Sequence, residues 1–390
     1  MFILDDPYVS DFLKNTVIER RGLVLDNAKA RASLDGCGVD AMRLLDDAAF
    51  AAAARQSPRI YANSENAIGW IAANLADTRL PAMIDVFKDK VAFRDLIAPM
   101  YPNYFYKGVA FDELEQIDAE ELVYPCIVKP AVGFFSLGVH RVESAVGWKQ
   151  IVAKIRADME RIRRYYPREV LDADRFVIEQ CIEGEEFAVD AFYDGEGNVV
   201  IVNILGHLFA SADDVSDRVY VTSPAIIRRW REPFAAFLAE LGERAGLANF
   251  PVHVELRVDD AGNIAPIEVN PMRFAGWCVT DLAHHAYGVN PYACYLDGVA
   301  PDWDTILPPR EGNVYAVVVA DIAPDVDCSA ILQVDYEGFC GCFSKPLELR
   351  VVDYARYGVF AFLFVQDRED DLGELHAILG SDLKEFLNMA

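Results

Sequence analysis

Two neighbouring stretches of this chain place carboxylates and an amide where they can hold a metal ion. Glu255 lies in "PVHVELRV" (251–258), while Glu268 and Asn270 lie in "APIEVNPMRFAGW" (265–277). Both stretches alternate apolar and polar residues, which predicts two strands with their polar side chains on one face. The letters "DDAGN" between them predict a hairpin. With Ala261-Gly262 as a two-residue loop, Glu255 faces Glu268, and His253 faces Asn270.

Facing carboxylates repel each other unless a cation lies between them. Mg²⁺ prefers hard oxygen ligands, and one or two carboxylates together with substrate phosphates are its usual surroundings in proteins. The pattern therefore predicts a Mg²⁺ site at Glu255, Glu268 and Asn270, in which Mn²⁺ is a substitute. The alternative interpretation is a solvated polar sheet face closed by a turn.

A lysine at a strand end suggests a phosphate contact. Lys129 lies near the end of the apolar stretch "PCIVKPAV" (125–132), directly before the loop "GFFSLG" (133–138). Glycines let backbone N–H groups approach anionic oxygens closely. The loop is not a Walker A sequence, because the lysine precedes the glycines. The alternative is a surface hairpin with an extended lysine.

The segment "EQCIEGEEF" (179–187) carries groups that suit a nucleoside. The carboxylates of Glu179 and Glu186 can accept hydrogen bonds from an adenine amino group and from ribose hydroxyls. Backbone groups near Cys181 and Ile182 can contact the adenine edge. The alternative is an exposed acidic turn.

The elements that position these residues indicate a mixed α/β chain. Strands alternate with helices over roughly the first 85 residues, which predicts a small parallel α/β domain. One of these helices has Ser64 as its expected N-cap, and a later helix is expected over 232–247 with Pro233 in its first turn. We predict domains at 1–87, 88–300 and 301–390, with a lid subdomain at about 125–190.

The composition bounds the class of partner. The chain has 390 residues, and its net charge of −26 argues against binding to nucleic acid or to an anionic membrane surface. No signal peptide or long apolar run is visible, and eight cysteines form no paired framework. We therefore expect a cytoplasmic protein that binds small molecules and supplies its own local positive charge.

Taken in order, "KDK" (88–90), "IVKP", "VIEQ", "HVELRVD" and "IEVNP" resemble the ATP-grasp superfamily. This is the fold of D-alanine–D-alanine ligase, biotin carboxylase and carbamoyl phosphate synthetase. The resemblance covers roughly 88–300 and implies an ATP-grasp fold, with a parallel α/β domain before it and a mixed segment after it. It also implies ATP and Mg²⁺ as cofactors. By this resemblance, the nucleotide contacts are Lys90, Lys129, Ser136, Glu179, Cys181, Ile182 and Glu186. Glu255, Glu268 and Asn270 would hold two Mg²⁺ ions.

Two further residues depart from the family pattern. Arg273 corresponds to an arginine that often follows the Asn-Pro pair, but Met272 places it one residue late. His253 stands where some relatives use a basic residue for the transferred phosphoryl group. The alternative for His253 is a packed strand histidine.

The family chemistry implies a carboxylate–amine ligase that forms an acylphosphate from an amino acid or small peptide-like substrate. A bicarbonate-activating enzyme and a catalytically silent ATP-binding protein are the alternatives. Arg218, Trp277 and Asp281 are candidate substrate contacts, against the alternative that 280–288 is a plain helix. A homodimer is compatible with the sequence.

Overall fold

The structure is a computed structural model that describes residues 1–36, 43–133, 138–162, 172–211, 216–323 and 325–389. Its first sheet has four parallel strands in the order β3-β2-β1-β4, which confirms the predicted parallel α/β region. The elements of this region are β1 (Phe2–Ile3), α1 (Asp11–Glu19), β2 (Leu23–Leu25), α2 (Ala28–Leu34), β3 (Arg43–Leu45), α3 (Asp47–Gln56), β4 (Tyr61–Ala62) and α4 (Ala67–Asn74).

The start of α4 differs from the prediction. Asn66 is its N-cap, and Ser64 instead accepts a hydrogen bond from the Asn66 backbone N–H (3.2 Å) in the preceding turn. A serine followed by polar residues suits a turn as well as a helix cap, because its hydroxyl bonds the backbone two residues later. The turn leaves Glu65 outside the helix.

A second sheet of four antiparallel strands has the order β5-β8-β6-β7. It begins at Tyr106, earlier than the predicted lid boundary at 125, and ends at Gln180. Helix α6 (Lys90–Ile97) packs against this sheet and against α8 (Pro224–Ala245) of the next region. The elements are α5 (Leu80–Lys88), α6 (Lys90–Ile97), β5 (Tyr106–Ala110), β6 (Cys126–Val132), β7 (His140–Val142), α7 (Trp148–Ile162) and β8 (Asp172–Gln180).

The largest sheet has eight strands in the order β13-β12-β9-β10-β11-β14-β17-β16. Its strands before residue 301 are β9 (Glu185–Tyr193), β10 (Val199–Leu208), β11 (Val219–Thr222), β12 (Phe250–Val258) and β13 (Ile264–Pro271). Helix α8 (Pro224–Ala245) covers this sheet with an apolar face that includes Phe234, Leu238 and Leu241.

Helix α8 begins eight residues before the predicted start at 232, so Pro233 lies inside it. The observed start has a serine N-cap and a proline at the first position, because Ser223 accepts a hydrogen bond from the Ile226 N–H (3.2 Å) and Pro224 follows it. The prediction relied on Pro233 alone and missed this earlier signal.

The segment after residue 301 continues the large sheet, because β11 pairs with β14 in antiparallel fashion. The boundary predicted at 301 therefore does not separate two sheets. A short strand is the last element of the chain. The elements are α9 (Leu282–Tyr287), α10 (Pro291–Asp297), α11 (Trp303–Ile306), β14 (Asn313–Asp321), β15 (Ile331–Val334), α12 (Tyr336–Cys340), β16 (Pro346–Val351), α13 (Tyr354–Tyr357), β17 (Val359–Arg368), α14 (Gly373–Leu379) and β18 (Leu387–Met389).

Among the described residues, no helix combines the length and the apolar character that crossing a bilayer requires.

Candidate active site

The polar face of β12 and β13 brings the predicted metal ligands together. Glu255 pairs with Glu268 and His253 with Asn270, which are the facing pairs that the alternation predicts. The Asn270 side-chain nitrogen lies 3.3 Å from an oxygen of Glu255 and 3.3 Å from an oxygen of Glu268. Two carboxylates and one carboxamide therefore converge on one point.

The loop of this hairpin differs from the predicted one, although the register at the glutamates is the same. Asp259 pairs with Asn263, so the loop has three residues, 260–262, and Gly262 takes a left-handed conformation (φ 84°). A β-bulge then inserts Ile267 into β13, between the pair Leu256–Pro266 and the pair Glu255–Glu268. The longer loop shifts the register by one residue, and the bulge shifts it back.

The two facing carboxyls have pKa values that move in opposite directions. Burial and the charge of Glu268 raise the pKa of Glu255 well above its ordinary value. Burial also acts to raise the pKa of Glu268, but the Lys90 and Lys129 cations lower it below its ordinary value. Without a cation, the face therefore holds one stable carboxylate and one carboxyl that resists ionisation.

Two lysines and an arginine supply positive charge beside this face. The Lys90 ammonium lies 3.8 Å from Glu268, and Lys129 forms a 2.7 Å ion pair with Glu179. On the other side of Glu179, Arg94 donates a 2.6 Å hydrogen bond to the second carboxylate oxygen. Burial acts to raise the pKa of Glu179, yet Lys129 and Arg94 lower it to about 2.

A carboxylate from the N-terminal region also reaches the site. The guanidinium of Arg273 lies 3.1 Å from Glu65, which forms a second ion pair with Lys88. Backbone hydrogen bonds fix this approach, because the Ala62 N–H donates to the carbonyl of Met272 (2.9 Å). Burial acts to raise the pKa of Glu65, but Arg273 and Lys88 lower it to about 2.

Met272 explains why the arginine comes one residue late. Its backbone is left-handed (φ 70°) and its side chain is buried in the core. The extra residue turns the chain, so that Arg273 points toward Glu65. Sequence reasoning missed Glu65, because its only local signal is a short polar turn.

His253 has a fixed orientation. Its Nδ1 lies 2.7 Å from Asp190, which faces it on β9, and its Nε2 lies 3.7 Å from Glu255. The same Asp190 oxygen accepts a hydrogen bond from the Ala275 N–H (2.8 Å). A carboxylate on one ring nitrogen holds the other nitrogen toward its target, as it does around metal sites.

The residues of this site lie in a part of the chain that resembles a known protein family. Residues 122–281, which include Lys129, Glu179, Glu255, Glu268 and Asn270, match a family model described as an ATP-grasp domain. The chain contains an ATP-grasp domain. No curated protein sequence matches the chain significantly.

Solved structures share the whole fold at low sequence identity. The L-amino acid ligase from Bacillus licheniformis has a TM-score of 0.68 and 18% identity over 100% of this chain and 98% of its own. N5-carboxyaminoimidazole ribonucleotide synthetase from Thermotoga maritima has a TM-score of 0.66 and 12% identity over 100% of this chain and 98% of its own. Biotin carboxylase from Campylobacter jejuni has a TM-score of 0.64 and 13% identity over 100% of this chain and 92% of its own.

In the ATP-grasp domain, the predicted adenine and ribose contacts lie at the end of β8, in the turn after it and at the start of β9. The Cys181 N–H donates to the Pro125 carbonyl (3.0 Å), and the Ile182 carbonyl accepts from Arg257 (2.7 Å). Glu186 forms an ion pair with Arg257 (2.9 Å), and one of its oxygens lies 3.0 Å from the Nδ1 of His207. Glu179 is buried between two cations, so nucleotide binding to it requires an exchange of partners. Ser136 lies outside the described residues.

Two of the predicted substrate contacts of the ATP-grasp domain have structural partners instead. Arg218 pairs with Asp321 (2.8 Å) and donates to the backbone carbonyl of Ser381, which ties β11 to the C-terminal segment. Asp281 is completely buried, and both its oxygens are bonded, one by Arg350 (2.9 Å) and one by Tyr292 (2.6 Å). These partners favour a structural role for both residues.

Trp277 remains a candidate substrate contact. It is half-buried, and its ring lies near the rings of Tyr8, Tyr357 and Phe362 at centroid distances of 6.4, 4.9 and 5.5 Å. The backbone of Trp277 is left-handed (φ 55°), which is strained for a bulky residue. The neighbouring Gly276 lies against the Arg273 guanidinium.

The donor set of the ATP-grasp domain fits Mg²⁺. Among the described residues, no group of three or more His, Cys, Asp or Glu side chains forms a metal site by itself. A cation between Glu255 and Glu268 would therefore use two carboxylates, the Asn270 carboxamide oxygen after rotation of the amide, and substrate phosphates. Mg²⁺ accepts this small set of hard ligands.

Proposed function

We propose that the chain is an ATP-dependent carboxylate–amine ligase that acts on amino acids or small peptide-like substrates through an acylphosphate. The observation that carries this proposal is the pair of facing carboxylates, Glu255 and Glu268, bridged by Asn270 and flanked by Lys90 and Lys129. A protein that only binds nucleotide does not need this arrangement.

The residues of the site would act mainly by position and charge. Mg²⁺ held by Glu255, Glu268 and Asn270 would neutralise negative charge on the ATP phosphates. Lys90 and Lys129 would bind the phosphates and hold the terminal one in line with the attacking carboxylate. Phosphate contact would separate Lys129 from Glu179, which then keeps Arg94 as its partner.

The reaction has two steps. A substrate carboxylate oxygen attacks the γ-phosphorus, and ADP leaves with the electrons of the broken P–O bond. The amine then attacks the acyl carbon, phosphate leaves, and the nitrogen releases a proton. His253, held by Asp190 with Nε2 toward Glu255, lies beside the site where phosphoryl charge develops.

Arg273 and Glu65 suit an amino-acid substrate. A guanidinium and a carboxylate 3.1 Å apart are complementary to a carboxylate and an ammonium of one small molecule. Trp277 follows Arg273 by four residues, and its ring and the aromatic rings near it would contact an apolar side chain. The name of the L-amino acid ligase, a structural neighbour over 98% of its length, supports the same substrate class.

The test is to incubate the protein with Mg-ATP and pools of amino acids, and to separate the nucleotides by chromatography. We expect ADP and phosphate in equal amounts, formed faster when a carboxylate and an amine substrate are both present. AMP as the stoichiometric product would contradict an acylphosphate. Turnover that depends on bicarbonate would support a carboxylase instead, and ATP binding without turnover would support a silent protein.

A matched pair of variants checks that turnover belongs to this site. Glu268→Gln removes one carboxylate of the proposed metal site and should lower kcat by about 10²–10³. Glu196→Gln removes the same charge from an exposed turn and should leave kcat unchanged.

A further inference from the structure

A buried arginine on helix α6 links the two halves of the proposed site. Arg94 is 2% exposed, and its guanidinium donates to Glu179 (2.6 Å), to the Pro266 carbonyl (2.7 Å) and to the Ile267 carbonyl (3.2 Å). It also lies over the ring of Tyr104 at 4.9 Å. One side chain thus contacts both the partner of Lys129 and the bulge in β13.

The bulge needs such a donor. An extra residue in one strand of an antiparallel pair interrupts the ladder and leaves backbone groups without ladder partners. Buried carbonyls require hydrogen bonds from elsewhere. Pro266 and Ile267 are the residues at the interruption, and the two Nη atoms of Arg94 donate one hydrogen bond to each of their carbonyls.

The bulge decides the face on which Glu268 lies. Between the turn and the bulge, Val258 pairs with Ile264 and Leu256 with Pro266. Continued without an extra residue, this register would set Glu268 opposite Val254, on the apolar face of the sheet. A one-residue slip moves a side chain to the other face. Glu268 therefore faces Glu255 only while the bulge persists.

We infer that Arg94 is the positioning residue of this site. It stabilises the bulge that turns Glu268 toward Glu255, and it pairs with Glu179 when Lys129 contacts phosphate. The inference rests on the proposed function for its metal and phosphate, but the register that Arg94 holds is a property of the protein alone. Lysine cannot replace it, because one ammonium lacks the planar fork that reaches two carbonyls and a carboxylate together.

The first experiment compares Arg94→Lys with Tyr101→Phe. Tyr101 donates to the Ile264 carbonyl (2.8 Å), so the control removes a hydrogen bond to the same strand outside the bulge. We expect Arg94→Lys to raise the Mg²⁺ concentration for half-maximal ADP formation by about 10–100-fold, as loss of a residue that orients metal ligands does. Tyr101→Phe should leave it unchanged, because the lost hydroxyl bonds the Ile264 carbonyl, outside the bulge.

The second experiment needs neither metal nor activity. Facing residues of antiparallel strands have Cα atoms about 4.5–5.5 Å apart, within the range of a disulfide. Glu255→Cys with Glu268→Cys should therefore form a cross-link on mild oxidation, detected as a linked peptide by mass spectrometry. Adding Arg94→Lys should reduce its yield at least severalfold, whereas adding Tyr101→Phe should not.

The outcomes separate the two proposals. An unchanged Mg²⁺ requirement and an unchanged cross-link in folded Arg94→Lys would overturn the role of Arg94. Loss of the whole fold in this variant would also overturn it, because Arg94 would then stabilise the protein generally. If the Glu255→Cys, Glu268→Cys protein cross-links in an Arg94-dependent way but the wild type never consumes ATP, the positioning role stands and the proposed function fails.

Discussion

Glu255 and Glu268 face each other across β12 and β13, and their pKa values are shifted in opposite directions. The difference comes from their neighbours: Lys90 and Lys129 favour the Glu268 carboxylate, whereas Glu255 is left with burial and with the charge of Glu268. The ion-free site is therefore asymmetric, and a divalent cation is needed to make both groups ionise together.

Substitution of the two glutamates should have opposite effects on the ion-free protein. Glu255 has a raised pKa, so its ionised form destabilises the fold at pH 7, and Glu255→Gln should increase the free energy of unfolding by up to about 1 kcal/mol. Glu268 has a lowered pKa, so Glu268→Gln should decrease it. Urea denaturation in EDTA measures both. Effects of the same sign would contradict the asymmetry.

The two lysines of "KDK" should be separable by kinetics. Lys90 lies beside Glu268, so Lys90→Met should raise the KM for ATP about 10–100-fold, the size expected for a lost hydrogen bond to a charged group. Lys88 pairs with Glu65, so Lys88→Met should act on the amino-acid KM. Initial rates at saturating Mg²⁺ decide this. A larger change in the ATP KM for Lys88→Met would reverse the assignment.

Substitution of the two candidate arginines should affect different properties of the protein, catalysis for Arg273 and stability for Arg218. Arg273→Ala should leave ATP binding intact but lower the ratio of ligated product to ADP, because Arg273 and Glu65 would hold the substrate. Arg218→Ala should keep this ratio and instead lower the free energy of unfolding by about 1–2 kcal/mol, since it removes partly buried bonds to Asp321 and Ser381. Product ratios and urea denaturation distinguish them. A lowered ratio of ligated product to ADP in Arg218→Ala would contradict this division.

Protonation of Glu179 should account for part of the acid sensitivity of the protein. Its pKa falls from 4.5 to about 2 in the folded state, so its contribution is complete above pH 4.5 and is lost as the pH falls to 2. A shift of this size corresponds to about 3 kcal/mol. Glu179→Gln should therefore be less stable than the wild type at pH 7, and this difference should shrink in acid.

The measurement is urea denaturation at pH 7, 4.5 and 3, with Glu196→Gln as the exposed control. A stability difference between Glu179→Gln and the wild type that stays constant from pH 7 to pH 3 would show that ionisation of Glu179 does not stabilise the fold.

The alternation of Glu255 and Glu268 with apolar neighbours was sufficient to predict the shared face, because it is a local property of two strands. The alternation alone does not predict the loop length or the bulge, although Pro266 in "API" is typical of a bulge or an edge strand. Their effects on the register cancel, so the predicted loop was wrong while the predicted facing pairs were confirmed.

Some site residues could not be predicted from the sequence, because their roles depend on partners that are distant in the chain. Arg94 lies in "KVAFRDLI", a plain amphipathic helix by its letters, and its partners come from residues 179, 266 and 267. Glu65 becomes a site residue only because Ala62 bonds to Met272. Conversely, Asp281 and Arg218 were attractive as isolated charges, but tertiary partners bind both.

The compensation between loop and bulge has a consequence for how this hairpin can change in evolution. Side chains alternate with a period of two, so the separation of the two glutamates, 13 residues here, has a parity that the rest of the hairpin must match. A single insertion or deletion between them would reverse that parity and turn one carboxylate into the core. We therefore expect length changes in this segment to occur in even numbers, or as paired events in which loss of a loop residue accompanies loss of the bulge and removes the need for Arg94.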